Sequence, residues 1–281
     1  MRVVVIGCGG WGSRVAGALH RNTFTELVGV YDKDKSRADG VASDLSVKSF
    51  SVDELSLCGL CADAAVLATP PDSGRYKQLH ALSEAGIRSV RVEKPLCVDP
   101  VESARIAKDF PDLITVGHTT LHQDANEYIR GAYSSIIGDI SMFYERASVD
   151  PSPTGLSAFD DLAPHDIAYF LNLVGMDPSE VSYSGSAARL YFDDNGRSVE
   201  CMVGSCYHAN EKRRSLTIIG DGQVLSYDEM SGELMHNGRQ RVFRVGDSLD
   251  REITSWAHGE TVSSSFGNRV VQVMDQIRCV S

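Results

Sequence analysis

The chain has 281 residues, 42% of them hydrophobic and 23% charged, with nine prolines and a formal net charge of −11. This length suits one large domain or two ordinary ones, and the composition lacks the polar, proline-rich bias of disordered chains. The acidic balance argues against nucleic acid and anionic membrane as partners, and no apolar run approaches the roughly 20 residues needed to span a bilayer.

Met1-Arg2 leads straight into Val3-Val4-Val5-Ile6, a short β-branched run that reads as a buried parallel strand rather than a signal peptide. A soluble, cytoplasmic protein is expected. Gly7-Cys8-Gly9-Gly10-Trp11-Gly12 follows, then a helical stretch to about Arg21, and Leu27–Tyr31 reads as a second strand ending at Asp32. Further strands are expected at Ala64–Ala68, Arg88–Val92 and Leu113–Gly117. Helices are expected at Ser73–Ala85 and from a capping box at Asp99-Pro100-Val101-Glu102. This alternation predicts a doubly wound parallel sheet over residues 1–118, an α/β dinucleotide-binding domain.

From about residue 119 the pattern changes. Asp139–Val149, Val181–Phe192, Ser198–His208, Ser215–Ile219 and Gln223–Tyr227 read as strands, with Asn195-Gly196 as a hairpin turn. Residues 119–281 are therefore expected to form an α+β domain on a large mixed or antiparallel sheet. Gly267–Arg278 would be a closing helix, free to pack back on the first domain.

The glycine spacing carries the first functional signal. In Gly7-x-Gly9-x-x-Gly12 the first glycine allows the tight turn, the second lets backbone approach a pyrophosphate, and the third lets helix and strand pack closely. Asp32, at the end of the second strand, stands where an acidic residue accepts hydrogen bonds from an adenosine ribose. A carboxylate there favours NAD, and the following Lys33, Lys35 and Arg37 leave NADP open. Thr69-Pro70 and Glu93-Lys94-Pro95 each follow an apolar strand, at the edge where open α/β sheets bind ligands.

Asp161 and His165 are four residues apart and share a face if both are helical. Pro164 restricts that helix to a start at or just before Asp161, because proline is tolerated best in a first turn. An imidazole of ordinary pKa, about 6.5, can take a hydroxyl proton near neutrality. The seven cysteines are scattered. The Cys58/Cys61 pair, the Cys201/Cys206/His208 group and the His118/His122 pair each lack a complete ligand set, so no metal site is predicted.

Taken together, Gly7–Gly12, Ala68-Thr-Pro-Pro71 with His80 downstream, Val92-Glu-Lys-Pro95, Asp161-Leu-Ala-Pro-His165-Asp166, Leu216–Gly222 and Tyr227-Asp228 resemble the glucose–fructose oxidoreductase/inositol dehydrogenase/MocA-like family. The resemblance implies an NAD(P)-dependent dehydrogenase acting on CH–OH groups. Gly7, Cys8, Gly9, Gly10, Trp11, Gly12, Asp32, Lys33, Arg37, Thr69, Pro70, His80, Glu93 and Lys94 would line the cofactor. It implies Lys94, Asp161 and His165 as catalytic residues, with His118 and Arg146 joining them at the substrate. Val116–Thr119 and Tyr144–Arg146 look most like sugar-nucleotide dehydrogenases, which implies a nucleotide-activated hexosamine or uronic acid as substrate. An inositol, aldose or dihydrodiol dehydrogenase and a regulator that binds dinucleotide without turnover are the alternatives. The family also implies a homodimer or homotetramer.

Overall fold

The computed structural model describes residues 1–50, 62–71, 74–150 and 155–280. Cys58 and Cys61 lie outside these residues. The chain forms two compact units: Met1–His118 with Leu249–Val271, and Thr119–Ser248 with Gln272–Ser281.

In the first unit, the strands β1 (Arg2–Ile6), β2 (Glu26–Tyr31), β3 (Lys48–Ser49), β4 (Ala64–Leu67), β5 (Ser89–Glu93) and β6 (Ile114–Gly117) make a sheet of order β3-β2-β1-β4-β5-β6. All five pairings between these strands are parallel. β4 and β6 are buried along their whole length. Such strands read as continuous apolar runs because helices cover both faces of a parallel sheet. The period of two sends Val3, Val5, Val30, Ala64 and Val66 to one face and Val4, Ile6, Leu67, Val90 and Val92 to the other. The first face packs on α1 (Gly10–Arg21) through Val15 and Leu19, and the second on α3 (Arg75–Glu84) and α4 (Pro100–Asp109) through Leu79, Leu82 and Ile106. A further helix, α2 (Lys35–Leu45), follows β2.

The α4 start departs from the expected capping box in one respect. Asp99 caps it by accepting from the Val101 amide at 2.8 Å, with Pro100 in the first turn, as the sequence implies. Glu102 does not reach back to Asp99, however. Its Oε1 accepts from the Tyr76 amide at 2.9 Å, because the uncapped first turn of α3 also lacks acceptors.

Residues 249–271 return to the first unit. Ile253 and Trp256 of α7 (Ser248–Ala257), a helix the sequence reading does not contain, join the α1 face. Val271 of α8 (Ser264–Cys279) joins the other. A buried ionic cluster ties α7 to β5. Arg91 is fully buried and its guanidinium hydrogen-bonds Glu93 on the same strand and Glu252 of α7, the latter at 2.9 Å from Nε. The guanidinium fits only because β6 carries Gly117 beside it; a Cβ there would stand 2.5 Å from Arg91 Nη2.

The second unit is built on an eight-stranded sheet of order β14-β13-β12-β11-β7-β10-β9-β8. Its strands are β7 (Ile140–Ala147), β8 (Glu180–Ser184), β9 (Ala187–Asp194), β10 (Arg197–Cys206), β11 (Arg213–Gly220), β12 (Gln223–Asp228), β13 (Glu233–His236) and β14 (Arg239–Val242). The sheet is antiparallel except for the central β7–β10 pair. The segment Val181–Phe192, expected as one strand, is two: Gly185 at φ 65° turns the chain between β8 and β9. Asn195-Gly196 is a turn with both residues at positive φ, as its sequence implies. Asp221-Gly222 and Asn237-Gly238 repeat the device.

One face of the sheet is covered by α6 (Ala158–Val174), whose Ile167, Phe170 and Leu171 are fully buried. Each such side chain contributes about 1.5–3 kcal/mol. A smaller helix, α5 (Asn126–Ser135), follows the 3₁₀ turn Thr119–His122. The start of α6 corrects the sequence reading. Ser157 is the cap, accepting from the Asp160 amide at 3.0 Å, so the helix begins at Ala158, three residues before Asp161, and Pro164 lies inside it. The capping hydroxyl and the buried apolar face outweigh the one bond that Pro164 cannot give to the Asp160 carbonyl.

Glu252 makes the cluster pH-sensitive. Two carboxylates share one guanidinium in a buried site, and burial, reinforced by Glu93 and opposed by Arg91, pushes Glu252 up from 4.5 to about 7. Between those values the folded protein keeps a proton that the unfolded chain has released, so this residue lowers stability as pH rises through the window. Urea denaturation at about pH 5 and about pH 8 is expected to show a steeper loss for the wild type than for Glu252→Gln; equal pH slopes would overturn the assignment.

Candidate functional site

The carboxyl edge of the first sheet gathers most of the residues expected at a cofactor. β1 delivers the chain to Gly7, at φ 100°, whose amide donates to Tyr31 O at 2.8 Å. A Cβ at Gly12 would fall 1.9 Å from the Gly7 carbonyl oxygen, so only glycine lets α1 start this close to β1. Gly9 and Gly10 behave differently: a Cβ on either would meet no protein atom within 4 Å. Internal packing therefore does not require glycine at these two positions, whereas close approach of a ligand to the backbone would. The Gly9 cap has no side-chain hydrogen bond and the first turn of α1 has no acidic residue. A helix N-terminus of this kind attracts an anion through its unbonded N–H groups and its dipole. The cradle fits the pyrophosphate of a dinucleotide.

Trp11 is 40% exposed beside this opening. Cys8 is buried, and burial together with Asp32 pushes its thiol up to about 11, so it remains protonated near neutrality. Asp32 braces the loop. Its Oδ2 accepts from the Cys8 amide at 2.7 Å and its Oδ1 from the Asp34 amide at 2.9 Å. Each oxygen keeps a second lone pair with which to accept a ribose hydroxyl. Arg37 pairs with Asp34 at 3.3 Å and Lys35 with Asp39 at 2.9 Å, and Lys33 is exposed. Two of the three basic residues that could offset a 2′-phosphate are thus already engaged, in exposed pairs that exchange at little cost.

At the end of β4, Thr69 is held by a residue the sequence reading missed. Arg75, fully buried in the first turn of α3, donates to Thr69 Oγ1 at 3.1 Å and to Thr69 O at 3.2 Å, while the Thr69 hydroxyl donates to Gln78 at 3.0 Å. The signal was an arginine one turn after Thr-Pro-Pro. Pro70 is exposed next to it. His80 lies a turn further along α3, exposed, with Nδ1 3.2 Å from Glu84. The structure does not bring it to Thr69.

Glu93, Lys94 and Pro95 leave the end of β5. The Lys94–Pro95 peptide is cis and Lys94 is half-buried. Glu93 points inward, its carboxylate spent on Arg91. His118 directly follows β6 and is fully buried, edge-on to Phe266 with centroids 6.0 Å apart.

The second unit holds Asp161 and His165 on α6, one helical turn apart and both half-buried. Tyr207, just beyond β10, donates its hydroxyl to Asp161 Oδ2 at 3.0 Å, a partner that sequence reasoning did not name. Thr120 donates to the His165 carbonyl at 3.4 Å, joining the 3₁₀ turn to α6. Arg146 corrects the expectation that it faces substrate. It is 2% exposed; Nε donates to Asp166 at 2.8 Å and Nη2 to Glu229 at 3.3 Å, with its guanidinium 5.4 Å from the Tyr144 ring centre. An internal arginine with two carboxylate partners is a structural cation. Among the described residues no group of three or more histidine, cysteine or acidic side chains could hold a metal, and no helix is long and apolar enough to cross a membrane.

Residues 1–112 match the model of an oxidoreductase family with an NAD-binding Rossmann fold, GFO_IDH_MocA. The chain is 29% identical over 196 residues to the UDP-N-acetylglucosamine 3-dehydrogenase of Acidithiobacillus ferrooxidans, a match that covers 67% of this chain and 59% of that enzyme. A solved structure of that dehydrogenase superimposes with a TM-score of 0.81 at 24% identity, covering 100% of this chain and 97% of the other. The 3-ketoreductase of Actinomadura kijaniata, solved with TDP-benzene and NADP, superimposes with a TM-score of 0.80 at 18% identity, covering 99% and 96%. Over its first 112 residues the chain is thus similar to the GFO_IDH_MocA oxidoreductase family, and over its whole length it shares the fold of these enzymes.

Proposed function

We propose that this protein is an NAD(P)-dependent dehydrogenase that transfers hydride between the nicotinamide and a hydroxyl or keto carbon of a sugar, specifically a nucleotide-activated hexosamine or uronic acid. The observation that carries the reading is the uncapped start of α1 at Gly9-Gly10, open to a ligand and flanked by Asp32. Similarity to a UDP-N-acetylglucosamine 3-dehydrogenase supports the substrate class.

In this reading the N–H groups at the start of α1 hold the pyrophosphate and Asp32 holds the adenosine ribose. Bound nicotinamide supplies the hydride acceptor for oxidation and the donor for reduction. His165 takes the hydroxyl proton as the alcohol is oxidised and returns it in the reverse direction. Asp161, held by Tyr207, orients the imidazole one turn away or binds a substrate hydroxyl. Lys94 donates to the reacting oxygen and stabilises the negative charge that develops there.

Nicotinamide absorbance is expected to report turnover of UDP-N-acetylglucosamine or its uronic acid with NAD or NADP. His165→Ala should retain dinucleotide affinity and lose about 10²–10⁴ in turnover. Full activity in that variant would remove His165 from the role of base, and absence of dinucleotide binding by the wild type would sink the whole reading. Asp32→Ala is expected to weaken NAD by about tenfold or more, and NADP by less, since charged hydrogen bonds to the ribose are lost and repulsion of a 2′-phosphate is relieved. An equal loss for both dinucleotides, measured by fluorescence titration, would contradict the ribose assignment.

The protein is also proposed to form a homodimer or homotetramer through the uncovered face of its large sheet. Phe143, Ile219, Val224 and Met235 are 38–49% exposed there, on the face opposite their buried neighbours Met142, Ile218, Leu225 and Leu234. They lie on the adjacent strands β7, β11, β12 and β13. Sedimentation is expected to give an oligomer that Phe143→Glu with Ile219→Glu dissociates; a wild type that sediments as a monomer at every concentration would refute this.

A further inference from the structure

The second unit contains two adjacent arginines with opposite fates. Register places Arg214 of β11 directly across from Arg146 of β7, on the same face as α6. Directly opposed residues in an antiparallel pair have Cβ atoms about 5 Å apart. Arg146 is hidden and bonds two carboxylates: Asp166 Oδ1 accepts from Nε, and Glu229 accepts from Nη2 and also from Gln123. Arg214 is half-buried, and its side chain makes no hydrogen bond or ion pair with any described residue. Burial, with Arg146 adding to it and Asp166 opposing, draws its pKa down to about 10. It stays charged at neutral pH, partly desolvated and beside a like charge.

Such a residue opposes folding. Arg146 returns two ion pairs for its burial, whereas Arg214 returns none, and structures retain unfavourable local electrostatics chiefly where a ligand will use them. Its position agrees. Arg214, Arg146 and Ser205 form one cross-strand row at the end of the sheet. Two residues beyond Ser205, Tyr207 holds Asp161. Asp166, the partner of Arg146 and a Coulombic neighbour of Arg214, directly follows His165 on α6.

We propose that Arg214 binds an oxyanion of the substrate, a carboxylate or a phosphate, at the end of the sheet that carries Asp161 and His165. A guanidinium suits either group because its forked donors match two oxygens at once. The identity of the molecule that carries the oxyanion rests on the dehydrogenase reading; binding of the oxyanion does not.

The test is calorimetric titration of the full chain, saturated with NAD so that its dinucleotide site is filled, with UDP, with glucuronate and with neutral N-acetylglucosamine. The wild type is expected to bind one of the two anions more tightly than the neutral sugar. Arg214→Gln should weaken that anion by about 10- to 100-fold, leave NAD unchanged, and match or exceed the wild type in melting temperature. Arg214→Lys should fall between them. Loss for UDP identifies the diphosphate as the source, and loss for glucuronate the carboxylate. The inference is overturned if the wild type binds neither anion, if Arg214→Gln binds both as the wild type does, or if Arg214→Gln and Arg214→Lys both unfold, which would make the residue structural. A protein that binds UDP through Arg214 but oxidises no sugar would refute the dehydrogenase reading alone. One that oxidises a neutral polyol equally well with and without Arg214, and binds neither anion, would refute the oxyanion site alone.

Discussion

The contact between Gly12 and the carbonyl of Gly7 is the constraint on which the first unit depends. With a Cβ at 1.9 Å from that oxygen excluded, α1 seats directly on β1, and its first turn points past the end of the sheet instead of into a side chain. The Asp32 bond to the Cys8 amide holds the same loop from β2. Two strands and one helix thus converge on a few backbone amides. Neighbouring β4 and β5 end on the same edge with Thr69 and Lys94 because the strands of this sheet pair in parallel. One steric exclusion therefore positions the helix, and parallel topology supplies the rest of the ligand edge.

The two units share a second device: a buried arginine placed at or near a strand end and compensated by carboxylates from elsewhere in the chain. In the first, Arg91 joins Glu93 to Glu252, a residue 161 positions away. In the second, Arg146 joins Asp166 of α6 to Glu229 after β12. Buried ion pairs contribute little net stability, since desolvation offsets much of the attraction. They do punish misplacement, because a charge left without its partner in a dry site is strongly destabilising. Glu93 precedes Lys94, and Asp166 follows His165, so each cluster anchors backbone next to a proposed catalytic side chain. Arg214 departs from this pattern: among the described residues no carboxylate hydrogen-bonds or ion-pairs with it, although Asp166 acts on it electrostatically.

The local elements of the chain were largely legible in its residues. Apolar β-branched runs, glycine spacing, Asp32 and the Asp99-Pro100 cap are short-range signals, and α1 and five of the six parallel strands, all but the two-residue β3, follow from them. Asn195-Gly196 announced its turn because few other dipeptides accept two positive φ values. The start of α6 was misplaced for the opposite reason. Pro164 is a strong local signal, but Ser157 and the buried face of the helix overrode it. The split of Val181–Phe192 at Gly185 was likewise decided by strand pairing rather than by composition.

By itself the sequence determined the glycine turn between β1 and α1, the acid at the end of β2, and that Asp161 and His165 share a helical face. These depend on neighbours within a few residues or on motif spacing. Tertiary structure alone decided that Arg146 is an internal cation and that Arg214 lies beside it without a hydrogen-bonded carboxylate, that Arg75 braces Thr69, that Tyr207 holds Asp161, and that residues 249–271 return to the first unit. The physical reason is the same in each case. Whether a charged side chain is paired, hidden or available depends on groups far away in sequence, and only folding brings those groups within hydrogen-bonding distance.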